Sequence, residues 1–118
     1  MNAYVGIDPQ ILEEATGGNA ELADKIIQRY LSVAGAEIDS LSELVTQGDR
    51  AALRRQAHRI VGAAATVGAV GVRDAARTLE QAIAEGSDEP HLTSLVGQVA
   101  AAFGALSNSP ATGDKAAE

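Results

Sequence analysis

Apolar side chains recur at three- and four-residue steps along most of the chain, which is the spacing of amphipathic helices. In the longest such segment they are Leu22, Ile26, Tyr30, Val33 or Ala34, Ile38, Leu41, and Leu44 or Val45. The next two segments have Leu53, Ala57, Ile60, Ala64 and Val67, and then Val72, Ala75 or Ala76, Leu79 and Ile83. The last has Leu92, Leu95 or Val96, Val99, Phe103 and Leu106. The pattern therefore predicts four helices, each with one buried face.

Residues that start or stop helices divide the chain in the same places. Asp and Asn side chains cap helix N-termini, Pro suits the first turn, and Gly ends helices. The predicted N-caps are Asp8 (followed by Pro9), Asn19 and Asp49, and the predicted breaks are Gly17-Gly18, Gly48, Gly68, Gly71 and the turn-rich residues 85–90. A short leading helix therefore precedes the four longer ones.

Four amphipathic helices with short connections predict an all-α fold. We expect an antiparallel up-down-up-down four-helix bundle with a short extra N-terminal helix. The bundle should occupy residues 1–106 as one domain, and residues 107–118 should form a disordered tail because they contain few apolar side chains. Connections this short leave no room for a deep pocket, so we expect any function on the outer surface.

The composition narrows the function classes. The chain has 16 acidic and 9 basic residues and a net charge of −7, which disfavours binding of nucleic acid or anionic lipid by the whole surface. It contains no cysteine, which excludes disulfides and thiolate metal sites. No stretch approaches the roughly 20 apolar residues that span a bilayer. We therefore expect a cytoplasmic protein.

Known enzyme motifs are missing as well. The chain has no glycine-rich phosphate loop with its lysine, no histidine pair at zinc-binding spacing, and no local Ser, His and acid constellation. We expect no enzymatic activity, no metal and no cofactor. Of the two histidines, His91 follows Pro90 at a helix start, where a plain surface position is expected.

His58 follows Ala57 and lies about 100° around the helix from it, beside the buried seam. It is either an imidazole at the core boundary with one hydrogen bond or an exposed functional group. Gly62 lies one turn later, where glycine costs about 1 kcal/mol relative to alanine. Either a neighbouring helix approaches closely there, or the surface beside the imidazole is kept clear for a partner.

Positive charge is concentrated around His58. Arg54, Arg55 and Arg59 lie within four residues of it, and the small Ala65 lies two turns beyond. An imidazole is a competent nucleophile for phosphoryl groups at neutral pH, and guanidinium groups can bind phosphate oxygens. Phosphoryl transfer also uses Mg²⁺ and acidic groups, which this helix does not supply and a partner would have to bring.

Several short segments occur in a characteristic order. They are Asp8-Pro9, residues 16–19, Tyr30-Leu31, Gly48-Asp49, residues 56–62 around the histidine, Gly68-Ala69 ten residues after it, and Leu79-Glu80. In this combination the chain resembles the histidine-containing phosphotransfer (HPt) domain family over roughly residues 7–105.

The resemblance implies that His58 accepts a phosphoryl group from the aspartate of a response-regulator receiver domain and passes it to another receiver. It implies that Gly62 lets the receiver approach and that Glu80, on the facing helix, orients the imidazole. The implied partners are receivers, which carry the Mg²⁺, and a sensor or hybrid histidine kinase, and the carrier itself is expected to be a monomer. The residues expected to dock the receiver or stabilise the phosphate are Arg54, Arg55, Arg59, Val61 and Ala65.

One position departs from the family pattern. A lysine commonly stands three residues after the histidine, and this chain has Val61 there. Loss of that cation predicts weaker stabilisation of phosphohistidine unless an arginine replaces it. A module that docks receivers without phosphotransfer is therefore an alternative function. Two further alternatives are a structural bundle and the dimerising domain of a histidine kinase, whose usual acid directly after the histidine and nearby proline are missing here.

Overall fold

Five α-helices build the structure, a computed structural model that describes residues 4–107. They are α1 (Pro9–Thr16), α2 (Ala20–Gln47), α3 (Arg50–Val67), α4 (Val70–Ala84) and α5 (Glu89–Ser107). Each long helix contacts the next, α5 closes the ring against α2, and α1 packs against α2 and α3. The predicted all-α bundle with a short extra N-terminal helix is confirmed. Of the predicted tail, only Ser107 is described, as the end of α5, and residues 108–118 lie outside the described part.

The core lies between the four long helices. Every residue of the seam predicted for α3 is buried, and so is the seam of α4, with Ala76 inward and Ala75 partly exposed. The largest fully buried side chains come from all four helices and are Leu41, Leu53, Ile60, Val72, Leu79 and Val99. Within residues 4–107, no helix has both the length and the hydrophobicity of a transmembrane span.

The buried stripe of α2 departs from the prediction in its first two turns and agrees with it at Tyr30, which is buried. Ile27 is buried, whereas Leu22 is 40% exposed and Ile26 is only partly buried. At the next step Ala34 is buried and Val33 is 49% exposed. Adjacent apolar residues fit the same periodicity, so the positions of the neighbouring helices decide which one points inward.

Two helices begin earlier than predicted. α4 starts at Val70, before Gly71, because the carbonyl of Ala69 already accepts a helical N–H. α5 starts at Glu89, inside the predicted link, because the carbonyl of Asp88 does the same. A glycine or proline in the first turn is tolerated there, since the first N–H groups of a helix have no intrahelical partner.

Tyr30 joins α2 to α5 within the core. Its ring meets Phe103 edge to face, with centroids 6.2 Å apart and an interplanar angle of 66°. Burial, and secondly the negative charge of Glu37, raise the pKa of Tyr30 to about 12. Both effects disfavour the ionised form of the buried side chain.

Gly68 holds the N-terminal segment against the turn between α3 and α4. Its carbonyl accepts the backbone N–H of Asp8 at 2.8 Å, and Ile7 pairs with Ala69 in a single antiparallel bridge. Gly68 has a φ of 88°, and an added Cβ would lie 2.8 Å from the carbonyl oxygen of Asp8. The backbone conformation and the close approach therefore both require glycine at this position.

We expect Gly68→Ala to lower the free energy of unfolding by more than about 2 kcal/mol, because it adds a clash with Asp8 to the cost of a positive φ. Gly48→Ala is the matched control. Gly48 also ends a helix with a positive φ, but nothing lies within 4 Å of its added Cβ. Urea denaturation should show the larger loss for Gly68→Ala, and equal losses would mean that the contact with Asp8 contributes nothing.

Candidate functional site

His58 stands on the outer face of α3. It follows Ala57, which is fully buried, and the turn of about 100° between successive helical residues carries the imidazole to the surface. The side chain of His58 is 76% exposed. The imidazole is therefore open to solvent and accessible to a partner, rather than closed in at the core boundary.

Glu80 reaches the same imidazole from α4. Its Oε2 lies 2.9 Å from Nδ1 of His58, and its side chain is only 22% exposed. Glu80 follows Leu79, which is fully buried, just as His58 follows Ala57. Two buried residues on packed helices therefore bring together two polar side chains that are far apart in sequence.

The contact with Glu80 distinguishes the two ring nitrogens of His58. A carboxylate can only accept a hydrogen bond, so Nδ1 of the ring carries the proton and donates it to Glu80. In the neutral ring, Nε2 then keeps its lone pair. The hydrogen bond from Nδ1 to the partly buried Glu80 orients the ring, and Nε2 is the nitrogen left free to react.

Gly62 lies on the exposed surface one turn after His58. Nothing lies within 4 Å of a Cβ added at Gly62, so close approach of a neighbouring helix does not account for this glycine. On the same side of His58, Val61 and Ala65 are only partly exposed, and Val61 packs against the core. After His58, the surface of α3 is therefore formed by small or partly buried side chains without charge.

A shallow, open depression lies on the other side of His58. Its lining residues are Ala51, Arg54, Arg55, His58, Arg59 and Glu80. Among residues 4–107 these three arginines make no hydrogen bond or ion pair, whereas the guanidinium of Arg50 donates to the Ile83 carbonyl at 3.1 Å. We call this depression the arginine groove. Its guanidinium groups are available to an external anion.

Gln56 supports the placement of α3, and the sequence interpretation did not identify it. Its Nε2 donates to the carbonyl of Glu37 and to Oγ of Ser40, both at 3.1 Å. These bonds join α3 to α2 on the side away from Glu80. A partly buried glutamine between two apolar seam positions was the available signal in the sequence, but its partners belong to another helix.

The remaining polar groups do not form a metal centre. Among the described residues, no group of three His, Cys, Asp or Glu side chains could hold a metal ion. His91 is exposed at the start of α5, and its backbone N–H donates to the Asp88 carboxylate at 3.1 Å. That contact caps the helix through the backbone of His91 and does not involve its imidazole.

Comparison with known protein families identifies a match over most of the chain. A family model described as the Hpt domain matches residues 25–109, which is well over half of the chain and includes His58, Gly62 and Glu80. No curated protein and no solved structure matches the chain significantly.

We expect Glu80→Ala to change the tautomer of His58, because the carboxylate no longer accepts the Nδ1 proton. The ¹⁵N NMR shifts of the ring nitrogens, measured where the ring is neutral, should move from the Nδ1–H form towards the Nε2–H form that free imidazole side chains prefer. Glu85→Ala is the control, since Glu85 lies on the same stretch of chain but contacts Gln81 at 3.4 Å instead. Unchanged ¹⁵N shifts in Glu80→Ala would contradict the hydrogen bond.

Proposed function

Because this chain belongs to the Hpt domain family of phosphorelay carriers in two-component signalling, we propose that His58 is the residue that carries the phosphoryl group. It accepts the group from the aspartyl phosphate of one receiver domain and passes it to the aspartate of another. The observation that carries this proposal is the exposed imidazole with Nδ1 bound to Glu80 and Nε2 free. The domain is a stoichiometric phosphocarrier and not an enzyme.

The proposed transfer is a displacement at phosphorus. The lone pair of Nε2 on His58 attacks the phosphorus of the receiver's aspartyl phosphate, the new N–P bond forms, and the P–O bond to the aspartate breaks. The aspartate leaves as a carboxylate. The imidazole then carries positive charge, which the Glu80 carboxylate stabilises through its hydrogen bond to Nδ1. The receiver supplies the Mg²⁺, and the same steps in reverse pass the group onward.

The arginine groove is the proposed binding site for the phosphate oxygens or for the acidic centre of the receiver. Arg54 and Arg55 lie four and three residues before His58, respectively, on the same face of α3, and neither has a partner in the described structure. They would replace the cation that the family commonly has at the position of Val61. Arg59 completes the groove at its other edge.

Gly62 and Ala65 form the proposed docking surface on the opposite side of His58. Side chains no larger than a methyl group let another backbone approach the imidazole closely. The partly buried Val61 adds apolar area there. A small apolar patch beside a cationic groove suits a transient interface, as a relay whose partners exchange requires.

The oligomeric state and the location of the carrier belong to the same proposal. We take the carrier to act as a monomer, because one bundle already presents the complete His58 and Glu80 pair. We also take it to act in the cytoplasm. A receiver-docking module without phosphotransfer is the second candidate, and the observation that favours it is the apolar, core-packed Val61 in place of a cation.

We expect phosphorylated receiver domains to transfer an acid-labile, base-stable phosphate to the wild-type protein and to His91→Gln, but not to His58→Gln. The reason is that only His58 combines an exposed ring with a bound Nδ1. ³¹P NMR and acid-lability tests measure the label. Absence of label with a receiver that demonstrably binds would establish the docking module instead.

We expect the double variant Arg54→Gln and Arg55→Gln to shorten the lifetime of phosphohistidine, or slow its formation, by roughly tenfold or more, because two charged hydrogen-bond donors are lost. Lys25→Gln with Arg29→Gln removes the same charge from exposed positions of α2 and should leave both rates unchanged. Val61→Lys, added to the groove variant, should restore part of the loss. Equal effects of the two double variants would show that only net charge matters.

A further inference from the structure

A second recess lies at the end of the bundle where the N-terminal segment crosses it. It has a volume of about 280 Å³ and lies between the N-terminal segment, α1 and the first turn of α2. Its apolar wall is formed by Tyr4, Ile7, Pro9, Leu12, Ala20 and Ala23. The short loops predicted no deep pocket, and this one arises instead because the leading segment packs across the helices.

Tyr4 contributes its ring to the wall of this recess. Its hydroxyl is buried from solvent and makes no hydrogen bond among the described residues. The neighbouring hydroxyl of Thr16 is already bound to the Leu12 carbonyl at 2.9 Å. An atom that solvent does not reach is not available to an occupant of an open recess, so the apolar walls and the local charge select the occupant.

The chain around the recess is acidic. Its first 24 residues contain no lysine or arginine, and their acidic residues are Asp8, Glu13, Glu14, Glu21 and Asp24. Glu13 forms part of the wall itself. This sign is opposite to that of the arginine groove, and it selects a positively charged partner.

Exposed apolar side chains accompany the recess. Val5 is 54% exposed and adjoins Tyr4 in the chain, and Leu22 is 40% exposed between the wall residues Ala20 and Ala23. Neither side chain lines the recess itself, but both belong to segments that do, and exposed apolar side chains are typical of interaction surfaces.

The volume indicates what fits. Pockets for drug-sized ligands begin at about 300 Å³, and the present recess is at or below that limit. One large side chain, however, can anchor a protein interface when it fills such a pocket. Apolar walls and an acidic surround thus define two properties of the occupant.

We propose that this end of the bundle docks a segment of a partner protein that presents one aromatic side chain, best a tryptophan, between lysine or arginine residues. The aromatic ring fills the recess, and the basic neighbours face the acidic surround.

Docking there leaves the phosphoacceptor surface open. The N-terminal segment is bound at Gly68, ten residues after His58, which is about 15 Å along the helix. A partner anchored in the recess would therefore hold the bundle while His58 remains accessible to a receiver. The recess is therefore a binding site for an anchoring partner, separate from the site of phosphoryl transfer.

Three short peptides test the proposal on the full chain. The probe is the acetylated and amidated pentapeptide Lys-Lys-Trp-Lys-Lys, followed by ¹H–¹⁵N NMR. We expect saturable shifts at Gly18, Ala20 and Ala23. Replacing the tryptophan by alanine, or the lysines by glutamates, should each weaken binding by about tenfold or more. Binding that does not depend on tryptophan, or shifts scattered over the acidic surface, would overturn the proposal.

Variants locate the site. Ala23→Leu fills the recess, and Glu14→Lys with Glu21→Lys reverses charge at exposed positions that do not line the recess. Each should weaken the tryptophan peptide by about tenfold, and the charge variant keeps the test valid if Ala23→Leu disturbs folding. His58→Gln should bind the peptide like the wild type. Undiminished binding by the charge variant, or loss of binding in His58→Gln, would contradict a separate site.

Discussion

The packing of α3 against α4 is the interaction on which the site depends. Ala57 and Leu79 are fully buried in the core, and the polar residue after each one, His58 and Glu80, is thereby turned to the same surface. The far end of α4 is bound to α3 through Arg50 and the Ile83 carbonyl. Because both helices are held along their length, the imidazole meets a prepared acceptor instead of a freely moving side chain.

The surface divides into regions of opposite character although the chain as a whole is acidic. The arginine groove lies beside His58, and a surface of small uncharged side chains follows His58 along α3. The acidic recess lies at the end of the bundle where the N-terminal segment is bound. A net charge of −7 conceals this arrangement. Local patches, not the sum of charges, determine which partners a protein of this size can select.

The reason for a glycine at position 62 could be decided only from the structure. A glycine inside a helix lowers the stability of the helix, and two explanations fitted the sequence equally: a close neighbouring helix or a cleared surface. The open space around it removes the first. Gly68 is the opposite case, since the backbone of Asp8 occupies the space that a side chain would need. Gly62, inside α3, and Gly68, at its C-terminal end, are therefore glycines for different physical reasons.

The sequence alone determined the number of helices, the N-caps of α1, α2 and α3, the seams of α3 and α4 and the position of His58 beside the buried seam, because these depend on periodicity and on contacts within a few residues. Tertiary structure decided which of Ile26 and Ile27 is buried, that Glu80 meets Nδ1 and that Gln56 bonds to α2. It also decided that the N-terminal segment leaves a recess. Each of these depends on where a second helix lies, and local periodicity carries no information about that distance or direction.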